Sequence, residues 1–146
     1  MPFPCDGGIV VDEQMAIRVV RLGSERVRGE GLRIGTVRRP PRGVAKSDHA
    51  SRDFYDVWLP DLAPSAEVIA GYKSARETAA AWRRLERLYR AEMKRPERER
   101  LLKLLAALSH TTNFALGCYC ADERRCHRSI LASILLEHGA QLVSCH

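Results

Sequence analysis

No uninterrupted apolar run in the 146 residues approaches the roughly 18 residues that a membrane-spanning helix needs. No membrane partner is therefore expected. The opening, MPFPCDGGIVVDEQ, lacks the charged start and apolar centre of a secretory signal, so the expectation is a cytoplasmic protein with reduced thiols. An evenly spread disulfide framework is missing too. There are five cysteines, an odd number, and Cys118, Cys120, Cys126 and Cys145 crowd into the last stretch of the chain. That clustering points to strand packing, metal or redox chemistry. Internal repeats and low-complexity tracts are absent as well.

What is present suits an ordinary globular chain, 45% hydrophobic and 29% charged. At 16.4 kDa it can bury a core without staples. Residues 1–14, rich in proline and glycine and without periodicity, read as an irregular N-terminal extension, and residues 15–146 as a single α/β domain. The formal net charge is +6, and the excess is local. Between Met15 and Lys46 stand nine Lys/Arg (Arg18, Arg21, Arg26, Arg28, Arg33, Arg38, Arg39, Arg42, Lys46) against Glu25 and Glu30. Such a segment attracts anions, whether nucleic acid, nucleotide or another phosphorylated ligand, unless it is only a solvated face.

MAIRVVRLG alternates apolar and basic residues as a strand does, and LRIGTV (Leu32 to Val37) reads as a second strand after the turn at Gly29 and Gly31. RRPPRGVAKSDH must be an irregular basic loop, because Pro40 and Pro41 block helix and ladder alike. FYDVWLPDLAPSAEVIAGY predicts short helical turns with Ser65 capping a small helix. From Ser74 the pattern is helical, with Trp82, Leu85, Leu88 or Tyr89, and Met93 on one face. Pro96 opens a second helix, where its missing N–H costs nothing, with Leu101, Leu104, Leu105 and Leu108 as the expected face. TTNFALGCYC has the continuous apolar character of a strand buried on both sides. The helix after it places Ile130, Leu131, Ile134 and Leu135 toward the core and stops at Gly139. AQLVSC closes as a last short strand. The sum is an α/β fold: a small, mostly parallel sheet flanked by helices, Rossmann-like and three-layered. Ligands in such sheets sit beyond the carboxyl ends of strands. Two segments occupy such positions, the basic loop after Val37 and the cysteine-rich turn after Tyr119, and their convergence is the central expectation.

Several short motifs, in this order, resemble one family. VRRPPRGVAK carries Arg-x-x-Pro-Arg-Gly-x-x-Lys (Arg38, Pro41, Arg42, Gly43, Lys46), and WLPDLAPS carries Trp58 with Ala63, Pro64 and Ser65. WRRLERLYRAEM supplies Tyr89 and Glu92. CADERRCHRSIL supplies Cys120, Ala121 and Asp122, then Cys126, His127 and Arg128. Together, from about Ile17 to the end, they resemble the family of unknown function numbered 488, which includes the YeaO-like proteins. Pro40 stands where those members commonly have tryptophan, and Asp122 where they usually have glutamate. Residues 1–14 fall outside the resemblance. It implies the fold and which residues matter, and supplies no reaction.

The chemistry of the cysteine turn admits several readings. Cys126 at a helix N-terminus, beside Arg124, Arg125 and Arg128, has the setting that stabilises a thiolate, with Cys120 able to resolve it; the bland alternative is a space-filling thiol. Cys118 reads as core. Cys118 and Arg124 spell the spacing of a cysteine-phosphatase loop, but YCADE lacks the glycines that would turn its N–H groups onto a phosphate. Zinc has ligand types in Cys118, Cys120, Cys126 and His127. Against it, C-x-C is tight and adjacent helical residues diverge by about 100°, so no metal and no cofactor is expected. Anion binding is preferred: the helix start and Arg128 form one wall and Arg38, Arg42 and Lys46 the other. Cys126 and His127 are the candidate catalytic pair, and Trp58 and Cys120 the candidate pocket lining. The expected function is binding of a phosphorylated small molecule or nucleotide, with or without chemistry. The alternatives are a non-catalytic nucleic-acid-binding module using the basic half and, third, a thiol-redox protein. The sequence gives no oligomeric state.

Overall fold

A computed structural model of the chain describes residues 15–120, 122 and 125–143. The expected N-terminal extension, and Cys145 with His146, lie outside the described residues. In chain order the elements are β1 (Ile17–Arg21), β2 (Leu32–Gly35), β3 (Val57–Trp58), α1 (Ala66–Ser74), α2 (Ala79–Met93), α3 (Pro96–Leu108), β4 (Phe114–Cys118), α4 (His127–Glu137) and β5 (Leu142–Val143). Single 3-10 turns at Lys46–Asp48 and Pro60–Leu62 interrupt the connections. The strands form one sheet in the order β3-β2-β4-β1-β5, parallel at every pairing. The α/β class and the parallel, three-layer-like arrangement thus follow the sequence pattern.

β4 takes the centre because FALGC is apolar or small throughout, and all five of its residues are buried. Its neighbours register against the same residue: Ile17 of β1 and Leu32 of β2 both pair with Phe114. Ile17, Phe114, Leu116 and Leu142 then join residues from all four helices in the main core, among them Val68, Leu85, Tyr89, Leu102, Leu131 and Leu135. A smaller core at the carboxyl end of the sheet gathers Leu22, Val37, Tyr55, Cys118 and Cys126. It depends on close approach: a Cβ on Gly117 would lie 2.6 Å from Leu22 Cδ2, and one on Gly35 would lie 2.9 Å from Tyr55 Cγ.

Local signals place most helix ends. The Ser65 hydroxyl accepts from the Val68 N–H and caps α1, Thr78 does the same for α2 through Ala81, Pro96 opens α3, and Gly139 at φ 89° follows α4. Three expectations need correction. The segment read as short helical turns contains a strand, β3, too brief to show a period. Helix does not run on from Ser74: Arg76 and Glu77 adopt φ 59° and 53°, and α2 begins only at Ala79. The buried face of α3 is Leu102, Leu105 and Ala106, whereas Leu104 is 54% and Leu108 39% exposed. Five leucines with alanines among them allow two faces, and packing against α4 and α2 selected the one with Leu102 at its centre. Among the described residues, no helix is long and apolar enough to cross a membrane.

Candidate functional site

Beyond the carboxyl ends of β2, β4 and β1 the basic loop and the cysteine turn lie against each other. The Thr36 N–H and hydroxyl both donate to the Gly117 carbonyl, at 3.0 and 3.1 Å. The Tyr119 hydroxyl donates to the Arg39 carbonyl at 2.9 Å, tying the loop to the turn. The His127 Nε2–H reaches the Thr36 carbonyl at 2.6 Å. Burial pushes that imidazole down to about 4, against the pull of the Thr36 carbonyl, so the ring is neutral near pH 7 and its proton is committed to Nε2. Its face meets the fully buried Tyr89 ring edge-on at 5.8 Å, and Tyr89 in turn donates to the Leu62 carbonyl at 2.6 Å.

Each sequence-derived candidate has a definite place. Cys126 is the N-cap residue of α4 and 1% exposed, its side chain capping nothing. Arg128 is buried in the first turn of α4; its Nη1 donates to the carbonyls of Val20 at 2.9 Å and Cys118 at 3.4 Å. Its Nε is buried without a partner among the described residues. The cation thus collects strand-end carbonyls beneath the cysteines. Arg38 donates to the carbonyls of Ala63 and Pro64, and Glu92 accepts from the adjoining Ser65 N–H at 3.0 Å, which welds the basic loop to the start of α1. Arg42 and Lys46 remain exposed on the loop. Trp58 is 42% exposed, its indole N–H fixed on the Val37 carbonyl at 2.8 Å.

Two separate features result where one shared site was expected. The first is an open groove of about 460 Å³ lined by Pro40, Lys46, His49, Tyr55, Asp56 and Trp58 with their neighbours. It unites two sequence candidates, Lys46 and Trp58. His49 stands edge-on to Tyr55 at 5.1 Å, and its Nε2 is buried without a partner among the described residues. Asp56 is already neutralised: it pairs with Arg26 at 2.9 Å and accepts from the Arg33 N–H at 2.8 Å. Tyr55, which its sequence context offers as core or pocket lining, takes both roles, whereas His49 and Asp56 were not legible as lining residues, since loop residues carry no periodicity to place them.

The second feature is a group of three thiols. The Sγ atoms of Cys118, Cys120 and Cys126 all lie within 4.8 Å of one another, and the Cys118–Cys120 pair is 3.7 Å apart. Cys118 and Cys126 are buried and Cys120 exposed. Donation from Cys118 and then Cys126 holds the Cys120 thiol well below its ordinary range, and the two donors are pushed up. Cys118, read from the sequence as core, is buried as expected and also completes this trio.

A family model described as the active DUF488-N3 subclade matches residues 17–139. No curated protein and no solved structure matches the chain.

Proposed function

The chain belongs to the DUF488 family, within the subclade described as active DUF488-N3, and from that premise we propose that it binds a phosphorylated small molecule of nucleotide type in the groove beside the basic loop. The family itself is one of unknown function. The observation that carries the reading is the pairing of an exposed aromatic face, Trp58, with an exposed cation, Lys46, across one groove. A planar base stacks on an indole, and a phosphate takes an ammonium as a point charge. The groove volume of about 460 Å³ lies within the ordinary range for small-ligand pockets. Arg39 and Arg42, exposed on the same loop, add to the field that draws an anion in. The Asp56 carboxylate offers little opposition because Arg26 and the Arg33 N–H already hold it. The unpartnered His49 Nε2 is a polar atom that a ligand group can satisfy once the ring turns toward the groove.

Calorimetric titration with nucleoside mono- and triphosphates, and with inorganic pyrophosphate, tests the reading. Nucleotide binding is expected, with pyrophosphate weaker because it lacks a base. Lys46→Ala and Trp58→Ala should each weaken it by roughly tenfold or more, the scale of one lost charge-assisted contact or one lost stacking partner. Absence of binding at millimolar nucleotide, or indifference to both substitutions, would overturn the proposal. Tighter binding to single-stranded oligonucleotides, with a steep salt dependence, would replace it with a nucleic-acid interface.

A further inference from the structure

The three thiols at the end of β4 have a geometry that nucleotide binding does not use. In a tetrahedral site with metal–sulfur bonds of about 2.3 Å, neighbouring sulfurs are separated by about 3.8 Å. The Cys118–Cys120 separation is 3.7 Å, and Cys126 Sγ lies within 4.8 Å of both. We propose that Cys118, Cys120 and Cys126 form a three-thiolate site for a thiophilic divalent cation of the zinc type.

The fold removes both objections that the sequence raised. C-x-C spacing is tight for two ligands on one rigid element, but the strand ends at Cys118 and the chain is already turning at Tyr119. Cys120 therefore brings its sulfur back beside that of Cys118. The divergence of Cys126 and His127 is immaterial, because only Cys126 is asked to be a ligand. His127 Nε2 is engaged with the Thr36 carbonyl. Cys126 comes in from the N-cap of α4, so the three sulfurs arrive from a strand end, a turn and a helix start.

Cys120 is the sulfur held toward the thiolate, with Cys118 and Cys126 as its donors. The backbone N–H groups of Cys120 and of Arg128, in the first turn of α4, counter part of the upward push on Cys118 and Cys126. Backbone N–H groups so placed are outer partners that orient and stabilise metal-bound sulfur. Three thiolates and a divalent ion leave one net negative charge, which the buried Arg128 guanidinium balances. Among the described residues no fourth His, Cys, Asp or Glu joins the group, and Cys120 faces solvent.

The test uses the full chain without an affinity tag, purified anaerobically and dialysed against metal-free buffer. Elemental analysis should give one zinc per chain. Replacement by Co²⁺ should produce the near-ultraviolet sulfur-to-cobalt charge-transfer absorption and the strong visible bands of a tetrahedral ion. Cys120→Ser, at an exposed position that the fold tolerates, should weaken zinc by roughly 100-fold or more against a chromophoric chelator. Even lost outer-shell partners cost about 10- to 100-fold. Cys126→Ser should do the same, with circular dichroism reporting whether that buried change disturbs the fold. Protein that neither retains zinc nor shows charge-transfer absorption with Co²⁺ would overturn the proposal. So would a disulfide among the three in anaerobically purified protein, or unchanged affinity in Cys120→Ser. Because neither Lys46 nor Trp58 belongs to this group, the result is independent of nucleotide binding.

Discussion

Replacing Glu30 with alanine strips the counter-charge from a guanidinium that has no access to water. Arg33 is fully buried and Glu30 is 4% exposed. Arg33 Nε donates to Glu30 Oε2 at 2.7 Å and Nη2 to Oε1 at 2.9 Å, a two-pronged pairing, while Nη1 donates to the carbonyls of Ser24 and Asp53, both at 2.8 Å. Breaking a buried pair by removing one partner costs about 3–5 kcal/mol, because the remaining charge stays buried and uncompensated. A domain of this kind has only about 5–15 kcal/mol in total. Removing both charges, as Glu30→Met with Arg33→Met, should cost much less than the sum of the single changes. About 1–3 kcal/mol remains for each strand or loop carbonyl left without its donor. The assay is urea unfolding followed by circular dichroism, run as a double-mutant cycle with m-values compared across the set. A loss below about 1 kcal/mol for Glu30→Ala, or simple additivity in the cycle, would refute the reasoning. The pair also bears on the groove, since Arg33 anchors Asp53 just ahead of Tyr55 and Asp56.

Further outcomes follow from single contacts. Gly35→Ala drives a methyl into the Tyr55 ring, 2.9 Å from Cγ, and should cost about 1–3 kcal/mol in a thermal melt while also displacing one wall of the groove. Tyr89→Phe leaves the buried Leu62 carbonyl without its 2.6 Å donor and should cost about 1–3 kcal/mol in urea unfolding, with the apolar packing kept. His127, held down to about 4 by burial, binds its proton more readily in the unfolded chain, where the ordinary value is about 6.5. Its contribution to stability is therefore complete above pH 6.5 and drains away as the pH falls toward 4. An NMR titration of its ring should find it neutral through pH 5.5, and a midpoint near 6.5 would contradict the buried placement.

The elements that were legible in the sequence are those with a strong one-dimensional signal. FALGC announced a buried central strand, Ser65 and Pro96 announced helix starts, and Ile130, Leu131, Ile134 and Leu135 announced the core face of α4. β3 was not legible because two residues carry no period. The α3 face was misread because its leucines permit two stripes, and only the packing against α4 and α2 decides between them. At the candidate site, residue identity was more legible than residue availability. A charge count from Met15 to Lys46 treats all nine cations alike, yet Arg33 is buried on Glu30, Arg26 pairs with Asp53 and Asp56, and Arg38 is spent on carbonyls. Lys46, Arg39 and Arg42 are among those left exposed. The cysteine group had a similar fate. Spacing along the chain argued against three shared sulfurs, whereas a strand end followed by a returning helix start brings them together.

The central claim, a nucleotide seated against Trp58 and Lys46, is tested most directly by tryptophan fluorescence. The chain has two tryptophans, so Trp82→Phe, which keeps an aromatic ring beside Tyr72, leaves Trp58 as the sole reporter. Titrating that variant with a nucleoside monophosphate should quench the emission saturably, and adding Lys46→Ala should shift the midpoint upward by roughly tenfold. Emission unchanged at millimolar nucleotide, or a midpoint indifferent to Lys46, would contradict the account.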